Sequence, residues 1–524
     1  MNFIFLMLHV LFIALVFFSA LYIYKNSNSK LNLLIINKFV LLFIEFISFL
    51  VFIILCFKQI NLILYKNDFN ILLLLLISIV GGLLILYIGN LVFIFRNRIE
   101  MLFVILFIPL GISFVFLRLP DYVPDEPSHF QRAYAVSNFI FDSSLDVSIN
   151  SDYEIKKFAD YSKIFSHIYL EQNPTFNMYH EACSYNFMAY IFPAAGLLIG
   201  RFLCLSLYTS YYLGRMMNVV LTIIFGYNTI KLAPKGKMLF FVLYFNPMYI
   251  HLSASYSADV VVLGLSFYMI SKWLYLNQKE EIEYRDIIEI ISSIFLIFVL
   301  KIAYLPIFGV YFSLIPKLLK MEKKKWLCLL GCLLLGILYI LISKKLGENA
   351  ATSAAQEKYY LEANVDSNKQ IAFLIENPKN LLIMYINTFR VKIVYYFETF
   401  VSRLCWLEVF INKISLFGYY VILLITTCKE NIIENKYQRI WLLFLGFIIA
   451  AVVVLGLYLY FTPVSWLTSE GVQGRYFIPC ALLFLIAISN SLFNKERRIN
   501  NLFIFCSVLI VNILVMKDLL LYFA

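Results

Sequence analysis

The polar side chains of the 524-residue sequence that could do chemistry are concentrated in a few short stretches. The run Asp121-Tyr122-Val123-Pro124-Asp125-Glu126-Pro127-Ser128-His129-Phe130-Gln131-Arg132 places two adjacent carboxylates ahead of a histidine and an arginine. Such a set can take a proton from a hydroxyl, or ligate a divalent metal ion through Asp125, Glu126 and His129. It is also the pattern of a helix start, with Asp125 as N-cap, Glu126 and Pro127 in the first turn, and His129 and Arg132 pairing along the helix surface. Near the other end of the chain, Gly471-Val472-Gln473-Gly474-Arg475-Tyr476 offers an amide, a guanidinium suited to phosphate and a phenol, with two glycines that allow close backbone approach. It reads equally as a Gly-rich turn with an Arg anchored at the head groups. Asp259 and Lys301 border apolar helices. There a carboxylate either faces water or a partner or caps a helix, and a lysine either meets an anionic head group or snorkels.

These residues must be positioned by membrane-spanning helices. Hydrophobic residues make up 62% of the chain and charged residues 14%, more apolar than a soluble core can hide. The net charge of +11 does not indicate nucleic acid, because Lys and Arg fall in short clusters between apolar runs. The pattern predicts an all-α polytopic membrane protein. Spans are expected at roughly 2–24, 33–57, 69–95, 101–118, 210–230, 238–253, 257–276, 287–303, 304–319, 326–343, 411–428, 438–461, 476–493 and 501–522. The opening stretch is read as a retained helix and not a signal peptide.

Basic clusters at Lys25/Lys30/Lys38, Arg96/Arg98, Lys231/Lys235/Lys237, 317–325, Lys429/Lys436/Arg439 and Lys495/Arg497/Arg498 then share one side, the cytoplasm, and both termini lie outside. To keep that arrangement, Phe187 to Leu207 is assigned as an interfacial or re-entrant helix on the outer face. Three long outer segments remain, 119–186, 344–408 and 461–476, and loops of that length are usually functional. Of the cysteines, Cys183 and Cys405 fall in outer loops, where a disulfide is conceivable.

At these same residues the sequence resembles a known family, the bacterial membrane proteins grouped as domain of unknown function 2142. The resemblance rests on Pro124-Asp125-Glu126-Pro127-Ser128-His129-Phe130 with Arg132-Ala133-Tyr134, on Gly214-Arg215, on Ser257-Ala258-Asp259, on Lys301 with Tyr304, and on Gly471 to Pro479. It spans roughly residues 101 to 493, leaving residues 1–100 as extra N-terminal helices and 494–524 as a C-terminal helix.

The resemblance implies a transmembrane bundle similar to the GT-C membrane glycosyltransferases, in the cytoplasmic membrane of a bacterium with the active face outside. The implied partners are a polyprenyl-phosphate sugar, an envelope glycan or other extracytoplasmic acceptor, and membrane lipids, with no nucleic acid. In that reading Asp125 is the base and Glu126 its partner. His129, Arg132, Asp259, Lys301, Gln473, Arg475 and Tyr476 bind substrate, with Arg475 first and Lys301 second for the leaving phosphate. A divalent metal ion on Asp125, Glu126 and His129 is the one cofactor considered. A lipid-linked saccharide transporter would need charges at mid-membrane depth, and Glu45 is the main one. A non-catalytic scaffold of envelope assembly would make Asp125 and Arg475 structural.

Overall fold

A computed structural model of the chain describes residues 71–95, 97–118, 120, 122–141, 185–320, 362–492 and 501–523, with a few isolated residues between 45 and 56. The spans expected at 2–24 and 326–343, most of 33–57, and residue Cys183 lie outside the described residues. Helices dominate because the apolar runs are long and nearly every backbone polar group closes on its own helix, as a lipid environment demands.

The order is α1 (Ile71–Ile94), α2 (Ile99–Phe116), α3 (Glu126–Ser137), a 3-10 turn (Phe187–Tyr190) leading into α4 (Ile191–Phe202), α5 (Leu207–Leu232), α6 (Lys237–Tyr244), α7 (Pro247–Ser253), α8 (Asp259–Gln278) and α9 (Tyr284–Leu300). A 3-10 stretch (Ile302–Leu314) then runs into α10 (Ile315–Leu319). After it come α11 (Ser367–Glu376), α12 (Lys379–Val401), a two-stranded hairpin of β1 (Arg403–Leu404) and β2 (Val409–Phe410), α13 (Lys413–Thr427) and α14 (Lys436–Phe461). A 3-10 turn (Gly474–Phe477) precedes α15 (Ile478–Ile488), and α16 (Asn501–Phe523) closes the chain.

Five helical segments among the described residues are long and apolar enough to cross a membrane: Ile99–Phe116, Asp259–Gln278, Ile302–Leu319, Lys436–Phe461 and Asn501–Tyr522. The protein is thus an all-α, multi-pass membrane protein. Two expected spans differ in detail. The stretch 238–253 is broken into α6 and α7 at Asn246-Pro247, where the Asn246 side chain accepts from the Met248 N–H and the proline opens the new helix. The second half of the 287–319 region is largely 3-10 around Pro306. Between that stretch and α9, Lys301 sits in extended backbone, which turns its side chain out of both helices. The apolar segment from Phe187 ends at Phe202, a shorter apolar helix than the five that are long enough to cross a membrane.

The bundle has two chemically distinct ends. At one, Lys235 pairs with Glu434 at 3.1 Å, Lys429 bonds Asn501, and Lys317 donates to the carbonyls of Leu276, Asn277 and Lys279 at 2.7–2.9 Å. This gathers the basic connections α5–α6, α8–α9 and α13–α14 on one side. At the other end lie α3, the start of α8, Lys301 and the 3-10 turn at Gly474. Between the ends an aromatic core joins α2, α6, α8 and α16 through Phe103, Phe107, Phe241, Tyr244, Phe245, Phe267 and Phe505, with ring centroids 4.5–5.9 Å apart.

Two motif glycines mark close backbone approaches. A Cβ at Gly214 would lie 2.1 Å from the Tyr256 hydroxyl oxygen, and one at Gly474 would lie 1.9 Å from the carbonyl oxygen of Tyr396 in α12. The second contact is with backbone and cannot be relieved by a rotamer. Gly474→Ala is therefore expected to lower the melting temperature in detergent by several degrees, whereas Gly456→Ala, which meets nothing within 4 Å, is expected to leave it unchanged or higher. Fluorescence-monitored unfolding of the two variants checks the contrast.

Candidate active site

The site is built on a buried ion pair. Glu126, in the first turn of α3, receives both Nε (2.8 Å) and Nη2 (2.6 Å) of Arg215 from α5, and neither side chain has any exposed surface. Arg215 also donates Nη1 to the carbonyls of Val115 and Arg118 at 3.1 and 2.8 Å, which finishes the C-terminus of α2. Its guanidinium faces the rings of Tyr211 and Tyr212 at 4.9 and 5.5 Å. The Tyr256 N–H points at Glu126 Oε1 from 3.4 Å. One pair thereby ties together α2, α3, α5 and the turn that precedes α8.

A second buried arginine works beside it. Arg118 donates Nε to the Phe114 carbonyl (3.1 Å) and Nη2 to the Ala254 carbonyl (2.6 Å), and its Nη1 lies 2.8 Å from His251 Nδ1. The Cys405 N–H reaches His251 Nε2 at 3.2 Å, so the 403–410 hairpin is fastened to α7. Cys405 itself is buried and forms no disulfide among the described residues.

On this platform the remaining polar groups meet. Lys301 Nζ donates to Asp259 Oδ1 at 2.9 Å and stands 4.7 Å from the centroid of Tyr476, with Tyr185 and Tyr304 at 5.9 and 5.8 Å. The Tyr304 hydroxyl donates to the Tyr476 carbonyl (2.9 Å), which docks the 3-10 turn at Gly474 onto the segment after Lys301. Arg475 is buried, donates Nη2 to the Tyr476 hydroxyl (3.2 Å), and interacts electrostatically with Asp259 and Asp125. Among the described residues, its Nε and the Oε1 of Gln473 are buried with no hydrogen-bond partner. His129 lies 2.7 Å through Nδ1 from the Tyr190 hydroxyl and senses Asp259, Arg475 and Lys301. Burial pulls its imidazole down to about 4, the neighbouring charges being smaller effects.

Asp125 holds the N-cap position of α3 without a side-chain capping bond, and its backbone is left-handed, φ 61° and ψ 8°. A non-glycine residue there costs roughly 1–3 kcal/mol. The capping role suggested by its position is therefore not the one it plays.

A family described as predicted membrane proteins (DUF2142) matches residues 106–484. The chain belongs to the DUF2142 family. The match contains every site residue from Asp125 to Tyr476 and leaves α1 and α16 outside. No curated protein and no solved structure matches the chain.

Within this DUF2142 protein, residues far apart in sequence converge as a set: Asp125, His129, Asp259, Lys301, Arg475 and Tyr476 share one electrostatic neighbourhood. One assignment changes. Glu126 is committed to Arg215, so it is a fixed anchor and is not available as a second proton acceptor or a metal ligand. Arg132 is buried and donates Nη2 to the Phe141 carbonyl at 2.7 Å, at the exit of α3. Of the trio Asp125, Glu126 and His129, Glu126 is taken by Arg215, and His129 bonds Tyr190 through Nδ1. Among the described residues no three His, Cys, Asp or Glu side chains gather to hold a metal ion. Arg118 and His251 are functional supports that residue spacing alone did not single out. The signal available was a lone Arg closing the apolar run of α2, a charge that must find a buried partner.

Removing one partner of the Glu126–Arg215 pair leaves an uncompensated buried charge, so Glu126→Gln and Arg215→Met are each expected to cost about 3–5 kcal/mol. Equilibrium unfolding in detergent measures it, and a double variant much less destabilised than the sum identifies the pair as the cause. His129 supplies a pH effect. The unfolded chain binds a proton on His129 near pH 6.5 and the folded chain near 4, so stability is lost as pH falls through that window. His129→Gln is expected to flatten the fall in melting temperature between pH 6.5 and 4.

Proposed function

We propose that this protein is a membrane glycosyltransferase that moves a sugar from a polyprenyl-phosphate donor to an extracytoplasmic acceptor. The observation that carries the reading is the meeting of two cations, Lys301 and Arg475, with the carboxylates Asp125 and Asp259 against an aromatic wall, at the end of the bundle opposite the basic clusters. Basic connections favour the cytoplasmic side, so we place the site on the outer face of a bacterial cytoplasmic membrane.

The chemistry needs no resident metal ion in this reading. An acceptor hydroxyl oxygen attacks the anomeric carbon, a new C–O bond forms, and the bond from that carbon to the phosphate oxygen breaks. The electron pair leaves with the lipid phosphate, and the hydroxyl proton passes to Asp125, which lies in the same electrostatic neighbourhood as Arg475. Arg475, with Nε awaiting an acceptor, and Lys301 stabilise the charge gathering on the departing phosphate. Asp259 orients Lys301. Gln473 Oε1, buried, accepts from a sugar hydroxyl in this reading. A buried, neutral His129 contributes a hydrogen-bonding group and no charge.

Radiolabelled polyprenyl-phosphate sugars presented to the purified protein in nanodiscs test this. Asp125→Asn is expected to lower transfer by at least about a hundredfold with donor binding intact, the scale of a lost general base. Arg475→Ala should weaken donor binding. Asp125→Gly, which relieves the left-handed strain, should raise thermal stability while abolishing transfer. Wild-type protein that neither binds nor consumes any such donor ends the transferase reading.

A further inference from the structure

The basic end of the bundle carries two neighbouring cavities that share Pro234 and Lys237. The first, about 260 Å³, contains its own anion: Glu430 is part of its lining, and its carboxylate accepts from the Gly236 N–H at 2.8 Å, at the N-terminus of α6. Here the helix end and the surrounding lysines are already answered by a carboxylate from within the chain.

The second cavity, about 430 Å³, is lined by Lys231, Pro234, Lys237, Tyr275, Gln278 and Lys279 together with Leu232 and Ala233, and no carboxylate is among them. Lys279 is bonded to Glu283 and Asp286, at 2.8 and 2.7 Å. Lys231 and Lys237 form no ion pair among the described residues: Lys231 lies over the Tyr227 ring at 5.4 Å, and Glu100, the acid that senses Lys237, is itself bonded to Arg98 at 2.9 Å. The volume falls in the ordinary range of small-molecule sites. Two lysines without a carboxylate partner among the described residues, a phenol and an amide thus surround a concave space whose lining carries positive charge and no negative one.

We propose that this second cavity binds a phosphate-bearing anion, with Lys231 and Lys237 as its cations and Gln278 as a neutral hydrogen-bonding group. The chemistry is common to an anionic lipid head group and to a soluble phosphate compound, and basic pockets between membrane helices suit both. The site lies at the opposite end from the candidate active site, and its existence does not depend on the transferase reading.

The full-length protein in neutral detergent, titrated with short-chain phosphatidic acid and separately with inorganic pyrophosphate, tests the proposal by native mass spectrometry and thermal shift. Saturable binding of phosphatidic acid alone assigns a lipid head group, and binding of both assigns the phosphate itself. Lys231→Gln, an exposed position whose loss leaves the fold intact, is expected to weaken binding about fivefold, and Lys231→Gln with Lys237→Gln about thirtyfold. Lys436→Gln removes the same charge at the same end, outside the cavity lining, and is expected to stay within about twofold of wild type. Binding of neither probe, or equal weakening by Lys436→Gln and Lys231→Gln, overturns the site.

Discussion

A charge buried without a partner is intolerable inside a membrane protein, and the architecture of this one is organised around a solution to that constraint. Glu126 and Arg215 neutralise each other with no water in reach, and the arginine spends its remaining donors on the last carbonyls of α2. The pair fixes where α3 begins. It thereby fixes the strained turn at Asp125 immediately before it and the orientation of His129 one turn later. Arg118 repeats the device on the next layer, closing α2 from the other side and reaching through His251 to the hairpin at Cys405. These contacts are short-range and directional, so they specify a unique arrangement of helices that apolar packing alone leaves interchangeable.

The second layer of the site differs in character. Lys301 and Asp259 are paired but retain some exposure, and they are ringed by tyrosines. Arg475 and Gln473 keep buried polar atoms unanswered among the described residues. A rigid, fully satisfied base supports a layer whose hydrogen-bonding capacity is incomplete, and an incomplete layer is what a polar ligand can complete. The 3-10 turn at Gly474 makes this possible. Its lack of a side chain lets the turn lie directly on α12, which brings Arg475 and Tyr476 into range of Lys301.

Much of this was legible in the sequence. Apolar run length announced the helices, and the spacing of lysines announced the common basic end, because both depend only on local composition and on the bilayer. The members of the site were legible too: Asp125, His129, Asp259, Lys301, Arg475 and Tyr476 stood out as polar residues at helix ends and do come together. Their roles were harder to read. Glu126 looks like a twin of Asp125 in sequence, and only the arrival of Arg215 from 89 positions away separates an anchor from a candidate base. The break at Asn246-Pro247 was written in the sequence as a cap followed by a proline, but the apolar flanks on either side concealed it. Backbone strain at Asp125 leaves no trace in composition at all.

α5 runs from Leu207 to Leu232 without a proline, carrying Arg215 near one end and Lys231 near the other. The two stand about 24 Å apart along the axis at 1.5 Å per residue. A continuous hydrogen-bonded rod is stiff along its length, so the spacing between the basic end and the Glu126–Arg215 contact is set by helix geometry alone. One unbroken element thus acts as the ruler from which the depth of the buried pair is measured.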